Sequence, residues 1–239
     1  MILKSNQSVL AMQIQLRRVL MLGVVAMLLA PVVLSTGCRK QKPDEEPDES
    51  QNSIKSGQLV VVAQDRTKWT YVSFVQGKVV GEASSVNPNN PENTDTVSGD
   101  AEWKARKDWD VALSWTRWRT NGGTSGDGGA KVAMTDITDF DALRTIPPAG
   151  AFFEDSLYRI NISNEMGESV LRPASANRAL SSLIVMDLSQ MPPPTYVKQN
   201  VFVLRIPSGQ YVKLQVLDYF NEKKERGYIK FRWAEIKAD

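Results

Sequence analysis

Between Val201 and Trp233 the chain repeats every two residues, and that period limits what it can become. Val201-Phe202-Val203-Leu204-Arg205-Ile206 and Tyr211-Val212-Lys213-Leu214-Gln215-Val216-Leu217 flank Pro207-Ser208-Gly209, the signature of a β-hairpin. A third run, Tyr228-Ile229-Lys230-Phe231-Arg232-Trp233, follows the charged loop Asn221 to Gly227. Alternation sends successive side chains to opposite faces of a strand, whereas a helix of period 3.6 would scatter these apolar residues. The pattern begins at Leu59 and recurs in Trp69 to Phe74, Trp109 to Thr116, the run opened by Lys131, Leu157 to Ile162 and Leu183 to Met186. Only Pro173 to Leu183 offers a helical stretch, and no solenoid or propeller period is present. The expectation is an all-β fold: a single antiparallel domain, sandwich or meander, with few short helices.

Two features of composition restrict the chemistry. Histidine is absent and there is one cysteine. Ser-His-Asp and Cys-His machinery are therefore excluded, as are imidazole ligation of a metal and any multi-cysteine zinc or iron–sulfur site. Methionine is the remaining soft ligand. Carboxylate pairs such as Asp136 with Asp139, or Glu154 with Asp155, have the chemistry for hydrolysis. Acids are common in strand-connecting loops, so the expectation is a protein that is not an enzyme.

The head of the chain reads as an address. Arg17-Arg18 precede an apolar run from Val19 to Leu34, shorter than the roughly 20 residues of a membrane-spanning helix. The run ends at Ser35-Thr36-Gly37-Cys38, which resembles a lipobox whose cysteine is acylated and becomes the first mature residue. Leu34 stands four residues before Cys38, one more than that pattern usually has. The next stretch, from Arg39 to Ser50, is entirely polar and carries Asp44, Glu45, Glu46, Asp48 and Glu49. It reads as a disordered tether and is similar to the surface-export signal of some Gram-negative lipoproteins. The organisation expected is a signal peptide over 1–37, the acylated Cys38 and tether over 38–56, and the β domain over 57–239. The location expected is the outer membrane, lipid-anchored at the cell surface or released from it. The full chain has 29 bases and 27 acids; residues 1–37 hold three bases, Lys4, Arg17 and Arg18, and no acid. The remainder carries one more acid than base, so nucleic acid is not an expected partner.

Two loops interrupt the strands. Asn87 to Asn93 is a polar turn cluster, and Asn121-Gly122-Gly123-Thr124-Ser125-Gly126-Asp127-Gly128-Gly129 is glycine-rich. No Gly-Lys-Ser/Thr follows the second loop, so it reads as a tight connection between strands and not as a phosphate cradle. Among the six tryptophans, Trp109 and Trp115 share a parity that faces the core, and Trp118 falls on the other face.

Trp69-Thr70-Tyr71-Val72-Ser73-Phe74, Asp108-Trp109-Asp110-Val111-Ala112-Leu113 and Arg119-Thr120-Asn121-Gly122-Gly123 together resemble the HmuY family of haem-binding surface lipoproteins. Phe202-Val203-Leu204-Arg205, Gly209 to Gln215 and Gly227 to Phe231 resemble the closing strands of the same family. The resemblance runs from about Leu59 to Ile236 and is weak from Lys131 to Pro194. It implies haem as cofactor, captured at the surface and delivered to an outer-membrane haem receptor, with host haem proteins as a source. In the founding type two histidines on two loops hold the iron; this chain has none, and other members are similar to it in carrying methionines there. Met191, before Pro192-Pro193-Pro194-Thr195-Tyr196, matches the second ligand loop, and Met166, in Asn164-Glu165-Met166-Gly167-Glu168, lies near the first. Met186 and Met134 are the alternates; Met186 follows an apolar run that suits the core. Thioethers do not titrate near neutrality, so ligation by them should persist in mild acid, and they favour ferrous haem. Arg159, Arg172 and Arg178 are equal candidates to meet the haem propionates. The alternative is a β-sandwich surface lipoprotein that binds a glycan or a protein partner.

Overall fold

The computed structural model describes residues 54, 56–85, 100–163, 169–187 and 189–237, all within the compact unit Glu49–Asp239. Side chains are described for these residues except 161–163 and 169–170. The expected signal segment, Cys38, all but the end of the tether, the Asn87 to Asn93 loop and Met166 lie outside the described residues. Ile54 is described and buried in the core, so packing reaches back beyond residue 57.

Thirteen strands are described: β1 (Gly57–Val62), β2 (Lys68–Ser73), β3 (Lys78–Ser84), β4 (Val111–Ser114), β5 (Arg117–Thr120), β6 (Lys131–Met134) and β7 (Ser156–Ser163), followed by β8 (Ser169–Ala176), β9 (Ile184–Met186), β10 (Thr195–Val197), β11 (Phe202–Arg205), β12 (Tyr211–Phe220) and β13 (Arg226–Ile236). One sheet runs β1-β13-β12-β11-β6 and a second runs β3-β2-β4-β5. Two antiparallel ribbons, β7-β8 and β9-β10, stand apart from both sheets. The fold is all-β and antiparallel, as the alternation predicts.

The sheets meet over a shared core to which β2 gives Val72, β4 Leu113 and β5 Trp118, while the larger sheet gives Leu204, Leu214 and Phe231. Each sheet is also covered on its outer face. Trp69 and Tyr71 of β2 pack with Trp109 and with Trp103, which the 3₁₀ turn Ala101–Lys104 brings over. Tyr71 stacks on Trp103 at 3.9 Å. Val203 and Ile236 of the larger sheet pack under Phe140 and Leu143 of the long connection between β6 and β7. Lys213 fixes that connection by donating to the carbonyls of Phe140 at 2.8 Å and Leu143 at 3.1 Å. Coverage on both faces explains why Val201 to Ile206 reads as almost continuously apolar.

Three local readings need correction. Trp118 lies in the main core and Trp109 in the outer cluster, while half-buried Trp115 packs against the main core; both faces of that sheet are buried, so parity alone could not identify the inner one. The run Trp109 to Thr116 is not one strand: Trp115 turns the chain at φ +54° and β5 returns as a hairpin partner of β4. The helical stretch shrinks to one turn, α1 (Arg178–Ser181), because β8 continues to Ala176. Asn177 caps that turn by accepting from the Leu180 N–H at 3.1 Å.

The glycine-rich loop is a packed corner. Asn121 donates to the carbonyls of Arg106 and Trp109 and accepts from the Gly128 N–H at 3.0 Å. A Cβ on Gly122 would collide with the carbonyl of Ala130, and Gly123 turns at φ +56° against Asp155.

Candidate functional site

The two ribbons are built by different means. The base of β7-β8 is pinned by Asp155, the residue before β7. Its buried carboxylate accepts from the Thr120 N–H at 2.8 Å, the Thr120 hydroxyl at 2.7 Å and the Asn177 amide at 2.9 Å. Burial still pushes this carboxyl above its ordinary range, against the pull of those donors. On the β8 side Arg119 donates to the Ser175 carbonyl at 2.8 Å, and the Asn177 N–H donates to Trp118. β7 and β8 pair in continuous register from Ser156↔Ala176 to Ser163↔Ser169.

The β9-β10 ribbon sits on the main core through Ile184, Met186 and Val197. It closes with Met186 opposite Thr195, and the Asp187 N–H donates to Pro194 at 2.9 Å. Asp187 turns its carboxylate back to accept from the Ser189 hydroxyl at 2.6 Å and the Ser189 N–H at 3.0 Å, contacts that hold it below the ordinary carboxylate range. At the far end of the ribbon connection, Arg226 at the start of β13 donates to the Pro193 carbonyl at 2.6 Å.

The methionines occupy unlike places. Met191 stands in the connection of β9-β10 and is 88% exposed. Met166 belongs to residues 164–168, which join β7 to β8 and lie outside the described residues. Met186 packs against the main core. Met134 ends the edge strand β6 opposite Phe202, about half exposed.

The three candidate arginines do not form one group. Arg159 is exposed, pairs across the ribbon with Pro173 and donates to the Leu171 carbonyl at 3.2 Å. Arg172 pairs with Ile160 on the opposite face, is buried and donates to the Ser85 carbonyl at 3.1 Å. Arg178 lies over the Tyr158 ring at 4.5 Å. The sequence reading missed Arg226. Arg226 sat in a stretch read as a charged loop, and its contact with Pro193 joins residues 33 apart. No local pattern carries that information.

Neither carboxylate pair forms a site. Glu154 pairs with Lys131 at 2.9 Å while Asp155 is buried in its donors, and Asp136 and Asp139 are exposed. Among the described residues no cluster of His, Cys, Asp or Glu could hold a metal ion, and no helix is long and apolar enough to cross a membrane. A cleft of about 210 Å³ lies between Asp110, Lys107 and the Pro207-Ser208 turn. It is lined by neither ribbon and is smaller than pockets for drug-sized ligands, about 300–1,000 Å³.

Comparison with known proteins agrees with this architecture. An apo HmuY analog from Tannerella forsythia aligns at TM-score 0.59 and 20% identity, over 76% of this chain and 96% of its own. Apo PinO from Porphyromonas gingivitis aligns at 0.59 and 19% identity, over 77% and 99%. These two likenesses establish the fold. A candidate HmuY-like heme-binding protein from Bacteroides vulgatus aligns at 0.57 and 25% identity, over 75% and 91%. No curated protein is a significant match. The family model for HmuY protein matches residues 65–233, from the loop before β2 into β13, and on that match the chain belongs to the HmuY family.

Proposed function

We propose that this protein is a lipid-anchored surface protein that captures haem through Met166 and Met191 and passes it to an outer-membrane receptor. The observation that carries the reading is the thioether of Met191, 88% exposed in the connection of a ribbon fixed to a rigid sandwich, in an HmuY-family chain without histidine. A soft, neutral, exposed donor fits a haem iron. Met166 offers the same donor from the connection of the other ribbon. When bound, haem would supply an iron for these thioethers to ligate.

What the chain contributes is placement. The Asp155 network fixes the root of one ribbon, and the Asp187 turn and the Arg226–Pro193 contact fix the other. Preorganised roots lower the ordering cost of bringing two ligands to one ion. Acylation of Cys38 and the polar tether after it would hold the domain at the membrane while leaving it free to reach a receptor.

Titrating the purified domain with ferric and then ferrous haem tests the reading. A saturable Soret shift is expected in at least the ferrous form. No shift in either form overturns it and leaves the glycan- or protein-binding alternative.

A further inference from the structure

Met134, Met186 and Met191 meet solvent to very different degrees. Met186 is half-buried against the main core, opposite Thr195. Met134 is 51% exposed at the end of β6, and Met191 is 88% exposed. Among the described residues Met191 belongs to no apolar cluster. An uncovered methionine forgoes the stabilisation that burial would contribute, so packing does not account for it.

The connection that carries Met191 is held in a way that keeps this thioether outside. Ser189 and Gln190, the residues before it, turn their side chains back to donate to the Asp187 carboxylate at 2.6 Å and 3.4 Å. After it, the Pro193 carbonyl accepts from Arg226 at 2.6 Å. Pro192, Pro193 and Pro194 narrow the backbone freedom that would let the side chain fold back onto the body.

We propose that Met191 is a reversible oxidation switch: its thioether takes oxygen from a peroxide before Met134 or Met186 does, and the sulfoxide shuts off capture of ferrous haem. In that step hydrogen peroxide gives one oxygen to the sulfur. The O–O bond breaks, an S–O bond forms, the sulfur gives up two electrons, and the other oxygen leaves with both protons as water. The product presents a polar head with a hard oxygen where a soft sulfur stood, and ferrous haem iron favours the soft donor. Capture is thereby confined to reducing surroundings, and reduction of the sulfoxide reopens it. The inference rests on the haem reading above, but the order in which the methionines oxidise is a property of the chain without haem.

The test begins with that order. The purified chain, free of haem, is treated with increasing hydrogen peroxide, quenched with catalase and digested, and mass mapping follows oxygen uptake at each methionine. Met191 should react first, Met134 later and Met186 last. Samples in which Met191 is converted are then titrated with ferrous haem. Affinity should fall by about tenfold or more against the untreated chain, and methionine sulfoxide reductase should restore it. Met191→Leu replaces an exposed side chain and keeps the fold; it should bind more weakly from the outset and lose nothing further at the same peroxide dose. Prior oxidation of Met134 or Met186, or unchanged affinity with Met191 fully converted, overturns the switch and leaves haem capture standing. A further loss in Met191→Leu at that dose assigns the effect to another methionine and also overturns it. An untreated chain that binds no haem overturns the reading on which the switch rests, and the switch with it.

Discussion

Asp110 favours the folded state more in mild acid than at neutrality, and one substitution isolates its contribution. Its carboxylate is 5% exposed beside the β2-β3 turn and accepts from the Phe74 N–H at 2.7 Å. Burial raises its pKa from 3.8 to about 6, only partly offset by Phe74 and Ser73. The folded value lies above the unfolded one, so the native state holds the proton more tightly. Stability from this group therefore rises as pH falls from above 6 toward 3.8, and is constant outside that window. At 1.36 kcal/mol per pKa unit, ionised Asp110 costs the native state about 3 kcal/mol at pH 7.5. Asp110→Asn keeps an acceptor for Phe74 and removes the charge. Urea unfolding of both proteins from pH 4 to pH 8 should show the variant more stable by up to about 3 kcal/mol at pH 7.5, with no advantage near pH 4. Asp155 and the other carboxyls contribute the same slope to both proteins and cancel in the difference. A difference that does not vary with pH, or a variant less stable at pH 7.5, refutes the argument.

Other consequences are as direct. Asp155→Ala strands three donors at the root of β7-β8 and should cost about 3 kcal/mol in urea unfolding, with faster amide exchange along β8. Gly122→Ala drives a methyl into the Ala130 carbonyl and should lower stability by about 2 kcal/mol or more. Because thioethers do not protonate, the Soret band of the haem complex should hold from pH 7.5 to pH 5; histidine-type loss near pH 6.5 is not expected in a chain without histidine.

The sheets were legible because alternation is a local signal. The Val201 to Leu217 hairpin, its Pro207-Ser208-Gly209 turn and the strand that follows appear where the pattern places them. Which face is inner was not legible. Trp109 and Trp118 look like opposites in sequence, yet each is buried because a second layer covers the outer face. That cover comes from Trp103 and from Phe140 with Leu143, segments without regular period. Of the candidate site, the methionine connections follow from strand boundaries and from the family resemblance. The sequence offered Arg172 only as one of three candidate propionate partners; that it is buried, opposite Ile160, was not legible. Arg226 was hidden for the converse reason: its role is set by contact with Pro193 across the fold.

Haem capture by methionine is the central claim, and the ferrous absorption spectrum of four proteins tests it most directly: wild type, Met166→Ala, Met191→Ala and the double variant. Wild type should give a six-coordinate, low-spin spectrum. Each single variant should lose the low-spin bands, and the double variant should bind haem weakly without them. A double variant that keeps the wild-type spectrum and affinity would contradict the account, because the iron would then be held by residues other than these two.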